Sequence, residues 1–398
     1  MVRRRTVLLG LIVGSLMAIA DRGVILAAEW SMEPSLGIKG EYNSNLILTA
    51  APHEATYGHW VSPTLKFSGA TENLDISGKT AADFVGYYGG VERGLTNLYF
   101  PASVRYRMDK HTLSFDGGFT RENTLRGELL QTGVVLGFTQ RNLWTLAPSW
   151  THAVTERFSL QGTYNYSNAS YESGSRLGLL NYEVHGGTLS MSYQLTEKDR
   201  MQVIGTYTNF SVPAANALRS NIGGVQMSLA HSFTDTITAT VAGGPQIVTS
   251  GIQLRAVHLQ DTQVVWVASG NIRKQWADGY VELVGGRQIN PSGFGLLIRT
   301  DRIGINMAKD LTETLTISLS GQVFFASSVT SSVAPIPLPT SRYVNVTPML
   351  RWKFDEWWAV DVAYTYGRRD LDSLDQTGIA HAATFMLTYY PPKLAVGR

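Results

Sequence analysis

The chain of 398 residues contains no cysteine. That absence removes disulfide frameworks, thiolate metal sites and cysteine nucleophiles together. It fits a protein that crosses an oxidising compartment unfolded. Charge is also scarce: Asp, Glu, Lys and Arg make up 16%, well below the ordinary quarter of a soluble domain. The formal net charge is only +2, with no basic stripe beyond the extreme N-terminus. Nothing here carries the electrostatic footprint of a nucleic-acid binder. The eight His, at positions 53, 59, 111, 152, 185, 231, 258 and 381, are scattered without metal-ligand spacing. No nucleophile elbow occurs, and the Gly-rich run at residues 89–94 has no strand-then-helix context. The sequence therefore implies no enzyme and no cofactor. His152 and His231, near turns, read as interfacial residues.

Long apolar runs are missing too, with one short exception. Arg3, Arg4 and Arg5 precede an apolar stretch over residues 7–20. This is the pattern of a secretory signal, too short to span a bilayer comfortably. Residues 1–28 are read as signal peptide, with cleavage after Ala20 or after Ala28. No later stretch approaches 18 uninterrupted apolar residues, so the expected mature chain spans no membrane as a helix.

What is plentiful is Gly (39), Tyr (18) and Trp (9), at a mean hydropathy near zero. These residues follow a period of two. In Phe158, Leu160, Gly162, Tyr164 and Tyr166 the even positions are apolar, aromatic or glycine, with small or polar residues between. A polar segment over residues 167–181 follows. The alternation then returns in Leu189, Met191 and Tyr193, turns at residues 195–200, and resumes in Met201, Val203, Gly205 and Tyr207. Such alternation puts one apolar and one polar face on each strand. Repeated along the chain, it predicts about eighteen strands. Short Thr/Asp/Glu turns (residues 71–73, 109–111, 155–157, 234–236, 309–314, 355–356) alternate with longer loops. The loops are expected at residues 43–57, 86–96, 122–141, 167–181, 249–261, 290–293 and 327–341. The least clear strand, residues 263–272, holds a non-alternating Val264-Val265-Trp266-Val267 run.

The fold class this implies is all-β: a transmembrane antiparallel up-and-down β-barrel of about 18 strands, with both termini and the short turns periplasmic. An even number closes the sheet and leaves no unpaired edge in hydrocarbon. Trp144, Trp150, Phe158, Trp276, Trp352, Trp357, Trp358 and Tyr389 fall near strand ends, as interfacial girdles do. The barrel is expected over residues 29–390, followed by a periplasmic tail over residues 391–398.

The inward face is the informative surface. Parity assigns it Lys39, Glu41, Lys66, Asp75, Lys79, Asp83, Arg105, Arg107, Asp116, Arg302, Arg351, Lys353 and Asp361. Mixed signs argue against strong ion selectivity. These charges are either wall-bracing pairs or a constriction that sorts solutes.

Asn142 and Leu143, the run Ala147-Pro148-Ser149-Trp150, the run Thr155-Glu156-Arg157-Phe158-Ser159-Leu160, Tyr164-Asn165-Tyr166 and Tyr171 together resemble a known group. It is the outer-membrane β-barrel porin-type family found with exopolysaccharide and exosortase gene clusters. Glu41-Tyr42-Asn43-Ser44-Asn45 is similar to its entry motif, as is Tyr193-Gln194-Leu195-Thr196-Glu197. The resemblance implies a Gram-negative outer-membrane barrel, tied in some members to polysaccharide export, and brings no catalytic motif. The leading expectation is a passive conduit for polysaccharide or oligosaccharide. The alternatives are a general diffusion porin and a barrel plugged by its own loops. Expected partners are outer-membrane lipid and the barrel-insertion machinery, with polysaccharide and periplasmic export components for the export reading.

Overall fold

The computed structural model describes residues 29–128, 138–213, 218–254, 257–329, 340–372 and 375–397. The expected signal peptide, residues 1–28, lies outside them, as do parts of the loops expected at residues 122–141 and 327–341. Eighteen long strands form one antiparallel sheet. They are β1 (Glu29–Asn43), β2 (Thr56–Ala70), β3 (Leu74–Gly89), β4 (Arg93–Arg107), β5 (His111–Asn123), β6 (Gln140–Ala153), β7 (Phe158–Tyr171), β8 (Tyr182–Gln194) and β9 (Asp199–Val212), then β10 (Leu218–Thr234), β11 (Ile237–Leu254), β12 (Val257–Trp276), β13 (Gly279–Pro291), β14 (Leu297–Asp310), β15 (Leu315–Ser328), β16 (Ser341–Lys353), β17 (Trp358–Leu371) and β18 (Gln376–Tyr389). Each strand pairs with the next, and β18 returns to β1 through Leu36↔Tyr389 to Asn43↔Ala382. The sheet is therefore a closed cylinder, and the expected strand number holds.

Strands run longer than the alternation suggested, at the expense of loops. The loop expected at residues 86–96 shrinks to residues 90–92, and that at 167–181 to residues 172–181. The loop expected at 249–261 is mostly strand, in β11 and β12. The reason is the same in each case. Gly, Tyr, Ser and Thr look like loop composition, but they pair as well as any residue once a neighbouring strand offers its backbone. The expected C-terminal tail also carries a strand: β19 (Leu394–Gly397) pairs with Glu29 to Met32 of β1.

Parity explains the two faces. Ile38, Val61, Phe84, Leu113, Trp150, Tyr164, Leu189, Tyr207, Val225, Val241, Val362 and Phe385 point outward and are exposed, the reverse of a soluble protein. Alternate residues point inward. The core is not central but lies at the loop end, where three segments fold into the cylinder.

The largest is the tip of the β13–β14 hairpin. Pairing of β12 with β13 stops at Ala268↔Arg287, while β13 stays on β14 up to Pro291↔Leu297 and β12 stays on β11 up to Leu254↔Val257. Freed from β12, the tip passes inside the wall. Ile289, Phe294 and Leu297 pack on inward-facing Tyr182, Phe210, Ile222 and Val248 of β8–β11, and Val265 of β12 joins them. Leu180 N donates to the Gly293 carbonyl at 2.6 Å. Gly293 has to be glycine, because a Cβ there would sit 2.5 Å from the Tyr171 hydroxyl. Residues 296–298 are Leu, Leu and Ile, and all three are buried. An apolar run without alternation is what a strand covered on both faces requires.

The second segment is the β1–β2 loop. Leu48 packs on Phe324, Tyr343 and Ala380. The Asn45 amide donates to the carbonyls of Thr49 (2.8 Å) and Ile379 (3.1 Å), which ties the loop to β18. The third is a single helical turn after β5, residues 124–127, that carries Glu128 inward.

Candidate functional site

Water-accessible cavities lie along the inner face of β1–β6, one of them reaching round to β16–β18. The one nearer the short turns is about 670 Å³, lined by Ser31, Lys66, Ser68, Ser77, Lys79, Ser103, Asp116 and Thr145. The one nearer the loops is about 720 Å³, lined by Lys39, Glu41, Trp60, Ser62, Thr64, Lys79, Asp83, Tyr87, Asn97, Tyr99, Tyr343, Thr365 and Thr388. Lys79 touches both. Hydroxyl and amide groups outnumber charges on this surface, so a solute can exchange hydrogen bonds with it without shedding all its water.

The structure places the expected lining residues in four groups. Lys39, Glu41, Lys79 and Asp83 share the loop-side cavity. Lys39 Nζ lies 3.0 Å from Glu41 and 3.4 Å from the Trp60 ring centroid. The stacked cation and the carboxylate hold each other in place. Asp83 accepts from Ser62 Oγ at 2.8 Å. Lys66, Lys79 and Asp116 share the other cavity. Lys66 and Lys79 are direct cross-strand partners, and among the described residues neither makes an ion pair. At the short-turn mouth Arg107 pairs with Asp75 at 2.5 Å, and Arg105 sits opposite Asp75.

The rest lie away from the cavities. Arg351 makes two bonds to Asp361, at 2.6 and 2.8 Å. That fork braces β16 against β17. Lys353 ends β16 beside its turn. Arg302 lies under the inserted segments, its guanidinium carbon 4.9 Å from the Phe324 ring centroid. So some expected lining charges are wall braces, and a cluster on β1–β3 faces open space.

Sequence reasoning missed Trp60, Tyr87, Tyr99 and Tyr343. Aromatics were expected at the girdles, yet Trp60 shares parity with Thr64 and Lys66, so the pattern carried the signal. Tyr87 packs edge-on against Trp60 with centroids 5.4 Å apart. Also missed was a buried charge cluster within the expected 122–141 connection. Arg141, 1% exposed, bonds Glu122 at 2.7 Å and lies 3.4 Å from Glu128. The Tyr171 hydroxyl donates to Glu128 as well. This cluster pins the helical turn to the inner face of β6 and β7. No grouping of three or more His, Cys, Asp or Glu that could hold a metal occurs among the described residues.

The chain matches no protein-family model and no curated protein. Among solved structures it is similar to the outer membrane channel DcaP of Acinetobacter baumannii, at 10% identity, over 94% of this chain and 100% of that one, with TM-score 0.49. It is also similar to OccK2 (OpdF) of Pseudomonas aeruginosa in complex with glucuronate, at 7% identity, over 92% and 98%, with TM-score 0.47. A. baumannii OccAB4 is similar at 8% identity, over 93% and 99%, with TM-score 0.46. The closed pairing of β1 to β18, rather than these likenesses, establishes the barrel.

Proposed function

We propose that this chain is a Gram-negative outer-membrane channel that lets small hydrophilic solutes pass passively. The observation that carries this reading is a closed cylinder with exposed apolar side chains outside and hydroxyl-lined cavities within. Such a surface is soluble only in a bilayer, and such a lumen only in water. The short turns and both chain ends then face the periplasm, and the loops face outward. Lys39, Glu41, Lys66, Lys79, Asp83 and Asp116 would line the solute path.

The inserted hairpin favours small solutes over polymer, because a sugar chain needs a continuous bore. Export of polysaccharide is the second reading. It is supported by the hydroxyl-rich lining and by Trp60, Tyr87 and Tyr99, and it requires the tip to swing aside. Planar-bilayer recordings of the purified protein test the first reading. Discrete ion-conducting steps, unblocked by long sugar polymers, are expected. Silence in both the wild type and a variant lacking residues 289–296 would sink it.

A further inference from the structure

Most of the outer wall is apolar, but at its loop end the face of β13–β17 is not. One row of cross-strand partners runs Arg287, Asp301, Phe325, Arg342, Asp370 over these five strands. All five share outward parity with Leu283, Ile303 and Val362. Arg287 bonds Asp301 through Nε (2.5 Å) and Nη2 (3.0 Å), and Arg299 Nε lies 4.0 Å from the same carboxylate. Arg368 Nε bonds Asp370 at 3.0 Å, and Arg342 Nε lies 3.5 Å away from it. Arg342 also reaches over the Phe325 ring at 5.9 Å. Each aspartate is thus flanked by two arginines, which leaves an excess of two positive charges along the row. Asp372 and Asp375 lie exposed in the turn beyond β17, so the excess is concentrated towards β14 and β16.

Two further observations specify what fits. The cations in this row are all arginine, whereas the open cavities within use Lys39, Lys66 and Lys79. Arginine offers a planar fork of donors that matches a phosphate, and it remains charged under all conditions. Arg287 spends Nη2 as well as Nε on Asp301, but among the described residues the other half-exposed guanidinium ends keep donors free for an outside acceptor. Ile303 (69% exposed) lies two residues along β14 from Asp301, and Trp266 (66%) lies two residues along β12 from Ala268, the cross-strand partner of Arg287; both are among the most exposed large apolar side chains of the barrel. Anionic and apolar demands therefore meet along one line, as they do in an amphiphile.

We propose that this row docks the phosphate-bearing head group of an outer-leaflet lipid, with its acyl chains lying on Phe325, Ile303 and Trp266. The leaflet follows from the reading above that the loop end faces outward; the chemistry of the site does not. The aspartates hold the guanidinium planes in place, and the phosphate neutralises the excess.

The test uses the full chain in neutral detergent, with a diphosphorylated lipid A as probe and the same lipid stripped of phosphate as control. Binding is counted by native mass spectrometry. The phosphorylated lipid should remain bound, and Arg299→Gln with Arg342→Gln should weaken it about tenfold. Arg299→Lys with Arg342→Lys, which keeps the charge, should fall between. Lys66→Gln with Lys79→Gln, inside the lumen, should leave binding unchanged. Equal retention of the stripped lipid, or no effect of the glutamine pair, would overturn the proposal. Conductance of the same variants is recorded separately. A failed channel reading thus leaves the lipid result standing, and the reverse.

Discussion

Arg141 is the residue on which the inward segments depend most sharply. Its guanidinium is buried between two carboxylates and two phenols. Removing one partner of a buried charge cluster costs far more than the cluster itself contributes, because the remaining charges lose their opposite charge. Arg141→Met should therefore destabilise the protein by roughly 3–5 kcal/mol, read from urea unfolding in detergent. The triple variant Glu122→Gln, Glu128→Gln, Arg141→Met removes all three charges and should recover most of that loss. If the single and triple variants are equally damaged, packing rather than charge explains the site. Lys39 is a milder case. Its charge is partly solvated and shared with Glu41 and Trp60, so Lys39→Met should change stability by about 1 kcal/mol or less.

The element that decides whether the lumen is open is the β13–β14 tip. It is held by apolar burial at Ile289 and Leu297, by the Leu180–Gly293 hydrogen bond, and by the absence of a side chain at Gly293. Gly293→Val puts carbon atoms against Tyr171, and Leu297→Asn leaves an amide among Phe210, Ile222 and Val248. The second change should cost about 2–4 kcal/mol locally. Either should lift the tip without breaking the cylinder, because the wall behind it is complete through β11 and β12. The expected outcome is larger or more frequent conductance steps with heat-modifiable gel mobility retained. Unchanged conductance in both variants would mean that the tip does not limit flow. This element was poorly legible beforehand. Residues 290–293 read as a plain loop, and alternation assigns no face to the Leu296–Ile298 run. Alternation reports one buried face, whereas this tip is covered on both.

At the scale of the whole molecule, closure is the governing event. β1 is the closing strand, taking β2 on one side and β18 followed by β19 on the other. Pro391 and Pro392 interrupt the last strand and cannot donate to the ladder, so the seal is made in two pieces. Ending the chain after Tyr390 removes the four pairs of Glu29 to Met32 with β19 and the Lys393–Glu33 ion pair, and leaves the pairs with β2 in place. The truncated barrel should still assemble and keep heat-modifiable mobility, since Leu36 to Asn43 remain paired. Hydrogen exchange should rise only at the alternate amides of residues 29–32 that face β19, because all four residues stay registered on β2. Failure to assemble at all would make β19 part of the insertion signal.

The amino-acid pattern alone determined the strand number, the alternation of faces and the position of the short turns. Each is set by local chemistry: period-two polarity, and Thr, Asp, Asn and Glu side chains that satisfy a turn's own backbone. It also gave Lys39, Lys66, Lys79 and Asp83 the parity opposite to the exposed apolar face, because parity survives along a paired strand. What the tertiary structure decided is which side chains meet across the cylinder. Arg141 finds Glu128, Leu48 finds Phe324, and the β13 tip leaves β12 for the inner wall, through contacts that no repeat encodes. Burial on a second face depends on what the closed cylinder brings opposite, and that partner is fixed only once β18 has found β1.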